Sequence, residues 1–238
     1  MARLLKVTGD GKGIDAQEVR RALTLLADPR HAIQLQYAHF HRESFQTFAG
    51  TKEGLDKAAQ WVGEHAGAKG IYFALNPLPV GFAKQVTCEA ILYRRWMLVD
   101  IDRYKTKEVV GKDSNGQPVL NEHLSATDEE HEAARSLMYD VLEYLDGLGW
   151  PAPLIVDSGN GFHLLYPIEL PNDKLSMVNV KFTLDKLEAR FNDERGTIGA
   201  ECFDARRISA LPGTWKRRGP VWKDRPYRMV KLIGGPDV

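Results

Sequence analysis

The sequence runs to 238 residues, 43% of them hydrophobic, with 32 lysines and arginines against 32 aspartates and glutamates. That is enough chain for one large domain or two closely packed modules with a real core. No apolar run approaches the roughly 18 residues of a membrane span, the N-terminus lacks the apolar stretch of a signal peptide, and two cysteines suffice for neither a disulfide framework nor a structural zinc site, so the expectation is a cytoplasmic protein with no membrane partner.

In chain order, "GDGKG" near the N-terminus lacks the spacing and the Ser/Thr of a P-loop and reads as a flexible turn. "DAQEVRRALTLL" has helical spacing with Asp15 as its cap, and "AIQLQYAHF" alternates as a strand does. A second helix is expected over "TKEGLDKAAQWVGEHA", starting at Thr51, followed by a strand in "GIYFAL" and a break at the prolines of "NPLPVG". Residues 1–85 are therefore expected as a small α/β module and residues 86–238 as a second one.

The second module opens with "RRWMLVDID", an apolar strand carrying two acids. Residues i and i+2 of a strand point to one face about 6.5 Å apart, so Asp100 and Asp102 project together while Val99 and Ile101 pack behind them. Two carboxylates among apolar neighbours repel each other and lose solvation. Divalent metal offsets both, and two ions about 3.5–4 Å apart are the usual device for in-line phosphoryl transfer. A wet strand face is the plain alternative. The pair has no evident cationic partner nearby in sequence, so removing either acid is expected to raise stability.

Residues 103–125 are polar and aperiodic and read as an inserted loop. The clearest helix follows, "TDEEHEAARSLMYDVLEYLDGLG", with Thr127 and Glu130 placed for a reciprocal capping box and Gly147 and Gly149 for the stop. Two strands then meet around "DSGNG". Asn160-Gly161 signals a hairpin in which both residues take positive φ, and backbone amides of such a turn can face an anion. His163 comes next, where its ring can donate to phosphate; a buried, hydrogen-bonded structural histidine is the alternative. Asp157, Ser158 and His163 do not make a hydrolase triad, since the G-x-S-x-G elbow is absent.

"LSMVNVKFTLDKLEARF" reads as a further helix, with strands in "ECF", "RISAL" and "RMVKLI". The fold class expected is α+β, an antiparallel sheet with helices on one face. Asp204 precedes Arg206 and Arg207, a sequence that fits a plain ion pair or a site holding metal on one side and triphosphate on the other. From Ala205 to Lys231 nine lysines and arginines stand against one acid, Asp224. Such a segment fits either a polyanionic partner or a solvated basic loop.

"RRWMLVDID", "TDEEHEAA", "GWPAPLIVDSGNGFHLLYPIELPND", "RISALPGTWKRRG" and "DRPYRMVKLI", in this order over roughly residues 70 to 233, resemble the bifunctional primase-polymerase (prim-pol) branch of the archaeo-eukaryotic primase (AEP) superfamily. The resemblance implies an RRM-like catalytic module packed on the smaller N-terminal one, with the active site in the cleft between them. It implies a DNA primase-polymerase: template-directed, metal-dependent nucleotidyl transfer that makes and extends primers on single-stranded DNA. The implied cofactors are two divalent ions, Mg²⁺ or Mn²⁺, and the implied partners are the template, dNTP or NTP, and a helicase or other replication domain, fused or associated.

Carried onto this chain, the resemblance makes Asp100, Asp102 and Asp204 the catalytic metal ligands. Ser158, Gly159, Asn160 and His163 would hold the triphosphate, with Arg207 and Lys216 beside it. Arg217, Arg218, Arg225 and Arg228 are the candidate template contacts. Some relatives carry Asn at the Asp204 position and Asp five residues earlier, where this chain has Gly199, so Glu201 is the other candidate third ligand. A catalytically inactive nucleic-acid-binding module and a template-independent nucleotidyl transferase or hydrolase are the competing readings. A pure binder has no use for the carboxylate cluster.

Overall fold

A computed structural model describes residues 13–39, 42–113, 115–222 and 224–236. The "GDGKG" turn, apart from Gly13, and Lys223 lie outside the described residues. The elements run α1 (Ala16–Leu26), β1 (Ala32–His39), β2 (Arg42–Ala49), α2 (Lys52–Glu64), β3 (Gly70–Ala74), β4 (Tyr93–Arg103), β5 (Val109–Lys112), β6 (Pro118–Leu120) and α3 (Asp128–Gly147). After them come β7 (Leu154–Asp157), β8 (Gly161–Pro171), α4 (Lys174–Phe191), β9 (Gly196–Ile198), β10 (Ile208–Ala210), β11 (Trp215–Lys216), β12 (Arg228–Met229) and β13 (Lys231–Gly234).

The helices start where their caps predict. Asp15 accepts from the amides of Gln17 and Glu18, and Thr51 from that of Gly54. At α3 both halves of the capping box form: the Thr127 hydroxyl takes the Glu130 amide, and Glu130 returns a bond to the Thr127 amide. Past its end, Gly149 takes φ +79°, the left-handed conformation that stops a helix.

Two antiparallel sheets carry the fold. One has the order β10-β3-β1-β2 and the other β13-β7-β8-β4-β9. Within the second, β4-α3-β7-β8-α4-β9 is the strand-helix-strand-strand-helix-strand succession of RRM-like and ferredoxin-like modules, with β13 added at one edge. Helix α3 packs on β4 and β8, and α4 lies against β9. Val99, Ile101, Phe162 and Leu164 are fully buried, and one apolar core joins them to Leu23, Val62 and Phe73 of the first half.

The first sheet takes its edge strand β10 from residues 208–210, so residues on both sides of position 85 build it. Three expectations are corrected. The 103–125 segment is not irregular, since β5 and β6 pair within it. "ECF" is a 3₁₀ turn, not a strand. In the β7–β8 turn only Gly159, at φ +86°, takes positive φ, while Asn160 and Gly161 do not. Gly161 is required for another reason: a Cβ there would lie 2.1 Å from the Ile101 carbonyl oxygen of β4.

Candidate active site

Strand pairing builds the centre of the site. β4 and β8 run antiparallel with Asp100 opposite His163, so the two side chains leave the same face. His163 Nε2 lies 3.3 Å from Asp100 Oδ1, and Nδ1 lies 2.7 Å from the Ser209 hydroxyl on β10. The ring therefore bridges the two sheets. Cys202 Sγ approaches the other Asp100 oxygen at 3.8 Å. Asp102, two residues on, pairs with Lys105.

Electrostatics follow from this packing. Burial pushes the Asp100 carboxyl up, but His163, by charge and hydrogen bond, and then Lys105 and Lys216 more than offset it and leave it at about 2. Burial and the neighbouring Asp100 carboxylate push the Cys202 thiol up, which keeps it protonated as a donor. Lys216 reaches the Tyr72 hydroxyl at 2.8 Å and lies over that ring. Its Cβ stands 3.1 Å from where a side chain on Gly159 would begin, so only glycine lets the turn and β11 approach.

The face behind this one holds a separate cluster. Asp157 points the other way from His163 and bonds His131 of α3 at 2.9 Å, as the absence of a triad requires. Asp157 also takes the Gly159 amide at 2.8 Å, and the Ser158 amide bonds the Gly161 carbonyl. Asn160 is buried and accepts from the Ala126 amide. Ser158, Gly159 and Asn160 are buried, and the amides of Ser158 and Gly159 are spent inside the turn, whose local role is to place His163.

Asp204 leaves the 3₁₀ turn at residues 200–203 and pairs with Arg207 at 2.9 Å. Its Oδ1 is buried with no hydrogen-bond partner, and Arg206 Nε stands 3.9 Å from it. Glu201 is exposed, with its carboxylate folded back over Gly199. Arg207 also bonds the Glu201 carbonyl. Arg94 of β4 holds the same turn through the Phe203 carbonyl at 2.7 Å.

The donor chemistry of Asp100 and Asp102 fits a hard divalent ion: anionic oxygens on one face, with no competing soft ligand at Asp102. Among the described residues no group of three His, Cys, Asp or Glu side chains is close enough to hold a metal. The Asp204 oxygen is thus not assembled with the other two into one cage.

The template set divides. Arg225 is 7% exposed and makes a bidentate pair with Glu130 at 2.6 and 2.8 Å, plus a bond to the Ser125 carbonyl. Arg228 bonds the carbonyls of Ala126 and Gly159 and pairs with Asp128. Both brace the chain against the start of α3 and the 158–160 turn. Arg217 is half-buried against the Ala66 and Ala68 carbonyls. Arg218 has no ion pair to a described residue and is partly exposed.

Sequence reasoning missed Ser209, Cys202, Tyr72 and Lys105, because each reaches the site from another strand, from the 200–203 turn or from the insert. It also missed Arg103, which is fully buried beyond the DxD pair and bonds the Asn121 side chain at 2.7 Å, with Glu130 at 3.3 Å. Only the alternation in "VDIDR", which turns Arg103 inward with Val99 and Ile101, pointed to it. A groove of about 820 Å³ between Tyr139, Trp150 and Tyr166 includes none of the residues of this site.

Neither a family model nor a curated protein matches the sequence. Solved structures similar to this chain include the primase RepB′, at 13% identity and a TM-score of 0.49 over 92% of this chain and 56% of that one. This chain thus spans little more than half of that relative. The polymerase domain of Mycobacterium tuberculosis Ligase D in complex with DNA shows 12% identity and a TM-score of 0.45, covering 91% of this chain and 84% of that one. The catalytic domain of RepB′ in complex with initiator DNA shows 14% identity and a TM-score of 0.45, over 85% and 78%.

Proposed function

We propose that this chain is a DNA primase-polymerase that synthesises and extends primers on single-stranded DNA from dNTPs or NTPs. The observation that carries the reading is the cross-strand pair of Asp100 and His163 with Asp102 on the same face. Burial works against the Asp100 carboxylate, and His163, followed by Lys105 and Lys216, offsets it and keeps the group ionised.

In this reading Asp100 and Asp102 hold divalent Mg²⁺ or Mn²⁺, with Asp204 as third carboxylate through the oxygen that makes no hydrogen bond. Bound metal supplies charge neutralisation and Lewis acidity at the triphosphate. His163 and Lys216 donate to phosphate oxygens, and Arg207 offers a guanidinium fork. The primer 3′-hydroxyl, or that of a first nucleotide, attacks the α-phosphate and pyrophosphate leaves. Catalysis is then mainly positioning and electrostatics. A cytoplasmic replication setting, with a helicase or other replication domain fused or associated, suits such a module.

The test is incubation with single-stranded template, labelled nucleotides and Mg²⁺ or Mn²⁺, with and without a primer. Template-dependent product is expected. Product without template would make the protein a template-independent transferase, and no product under either condition would leave a nucleic-acid-binding module.

A further inference from the structure

We infer that Ser209 is a positioning residue that holds His163 with its proton on Nε2 and aims that N–H into the Asp100 site. The catalytic consequence rests on the primase-polymerase reading, whereas the hydrogen-bond argument does not.

Ser209 is 1% exposed and His163 8% exposed, so water is no ready partner for either. Ser209 sits on β10, opposite Phe73 of β3, and its hydroxyl lies 2.7 Å from His163 Nδ1. On the far side of the ring, Nε2 faces a carboxylate oxygen at 3.3 Å. A neutral imidazole has one donor and one acceptor nitrogen. With the proton on Nε2, the serine hydroxyl donates to Nδ1 and Nε2–H donates to Asp100, so every proton has an acceptor. With the proton on Nδ1, the ring donates to Ser209, the serine proton loses this acceptor, and the Nε2 lone pair meets an anionic oxygen. Burying an unpaired donor and opposing two acceptors both cost free energy. Ser209 therefore selects the form whose Nε2–H is a donor, and that is the form able to bind a triphosphate oxygen. Because Ser209 belongs to the other sheet, the tautomer depends on how the two sheets dock.

The test compares Ser209→Ala and Ser209→Thr, which keeps the hydroxyl. Imidazole ¹⁵N shifts are recorded on histidine-labelled protein at a pH where the His163 signals show a singly protonated ring, with His163 assigned by its loss in His163→Gln. The wild type should show the proton on Nε2 and Ser209→Ala a shift toward Nδ1–H, while Ser209→Thr keeps the wild-type pattern. Nucleotide KM should rise about tenfold in Ser209→Ala, the effect of one lost hydrogen bond, with kcat little changed and recovery in Ser209→Thr. An unchanged nitrogen pattern in Ser209→Ala, or equal KM losses in both variants, would overturn the inference. If wild type incorporates no nucleotide, the primase-polymerase reading falls instead, and the nitrogen shifts still decide the role of Ser209.

Discussion

Each aspartate of the DxD pair has its own partner, Asp100 the His163 ring and Asp102 the Lys105 ammonium. Neither partner is apparent from the local pattern, and together they reverse the expected sign of a stability effect. Relief of mutual repulsion is outweighed by loss of the hydrogen bond at Asp100 or of the ion pair at Asp102. Asp100→Asn should destabilise by about 1–3 kcal/mol, the range for a half-buried charged hydrogen bond. Asp102→Asn should cost no more than about 1 kcal/mol, since its pair with Lys105 is partly exposed. Both should lose nucleotide incorporation. Urea denaturation and a primer-extension assay read the two effects separately, and a stabilised or active variant would discredit the metal-ligand reading.

Among the elements, the N-terminus of α3 carries the largest concentration of buried charge. Glu130 closes the capping box, takes both nitrogens of Arg225 and lies 3.3 Å from Arg103. Burial would raise its carboxyl, but Arg225, the Thr127 amide and Arg103 hold it below its ordinary value. Arg103 in turn ties the insert to β4 through the Asn121 and Leu124 carbonyls. Glu130→Ala removes a cap and leaves two buried guanidiniums unpaired. A loss of about 3 kcal/mol is expected, with faster hydrogen exchange across residues 104–124. Glu130→Gln, which can still cap, should fall between. A loss under about 0.5 kcal/mol in Glu130→Ala, the size of an ordinary surface change, would mean that α3 and the insert are anchored elsewhere.

At the scale of the molecule, Asp28 fastens the first half to the second. Its carboxylate accepts from Arg30 and from the Tyr93 hydroxyl at 2.5 Å, where β4 begins. The Arg30 hydrogen bonds hold its carboxyl well below the usual range despite burial. A folded pKa below the unfolded value of about 3.9 gives stability that is present above that pH and is lost as pH falls through the folded value. Asp28→Asn should therefore be destabilised at neutral pH, and the gap from wild type should close as the medium is acidified below about pH 4. A gap independent of pH would refute the ionised fastening. The basic C-terminal segment is tested at the same scale. Arg218→Ala should lower the slope of log affinity for single-stranded DNA against log salt by about 0.7. Arg225→Ala should lower stability and leave that slope alone, because its charge is spent on Glu130. Equal slopes in Arg218→Ala and wild type would place the template path elsewhere.

By itself the sequence determined what is local: three helix caps, the strand that sets Asp100 and Asp102 on one face, the turn before His163, and the strand, helix, hairpin and helix order of the second half. Each rests on a short-range period or on side chains reaching their own backbone. Tertiary structure alone decided the rest. It turned Ser209 and Tyr72 toward the site from the first sheet, and buried Arg225 against an acid 95 residues away. It closed the 158–160 turn on Asp157 and Arg228, and left one Asp204 oxygen without a hydrogen bond. The reason is physical: whether a charge is solvated, paired or buried depends on which distant surface lands on it, and no local period encodes that.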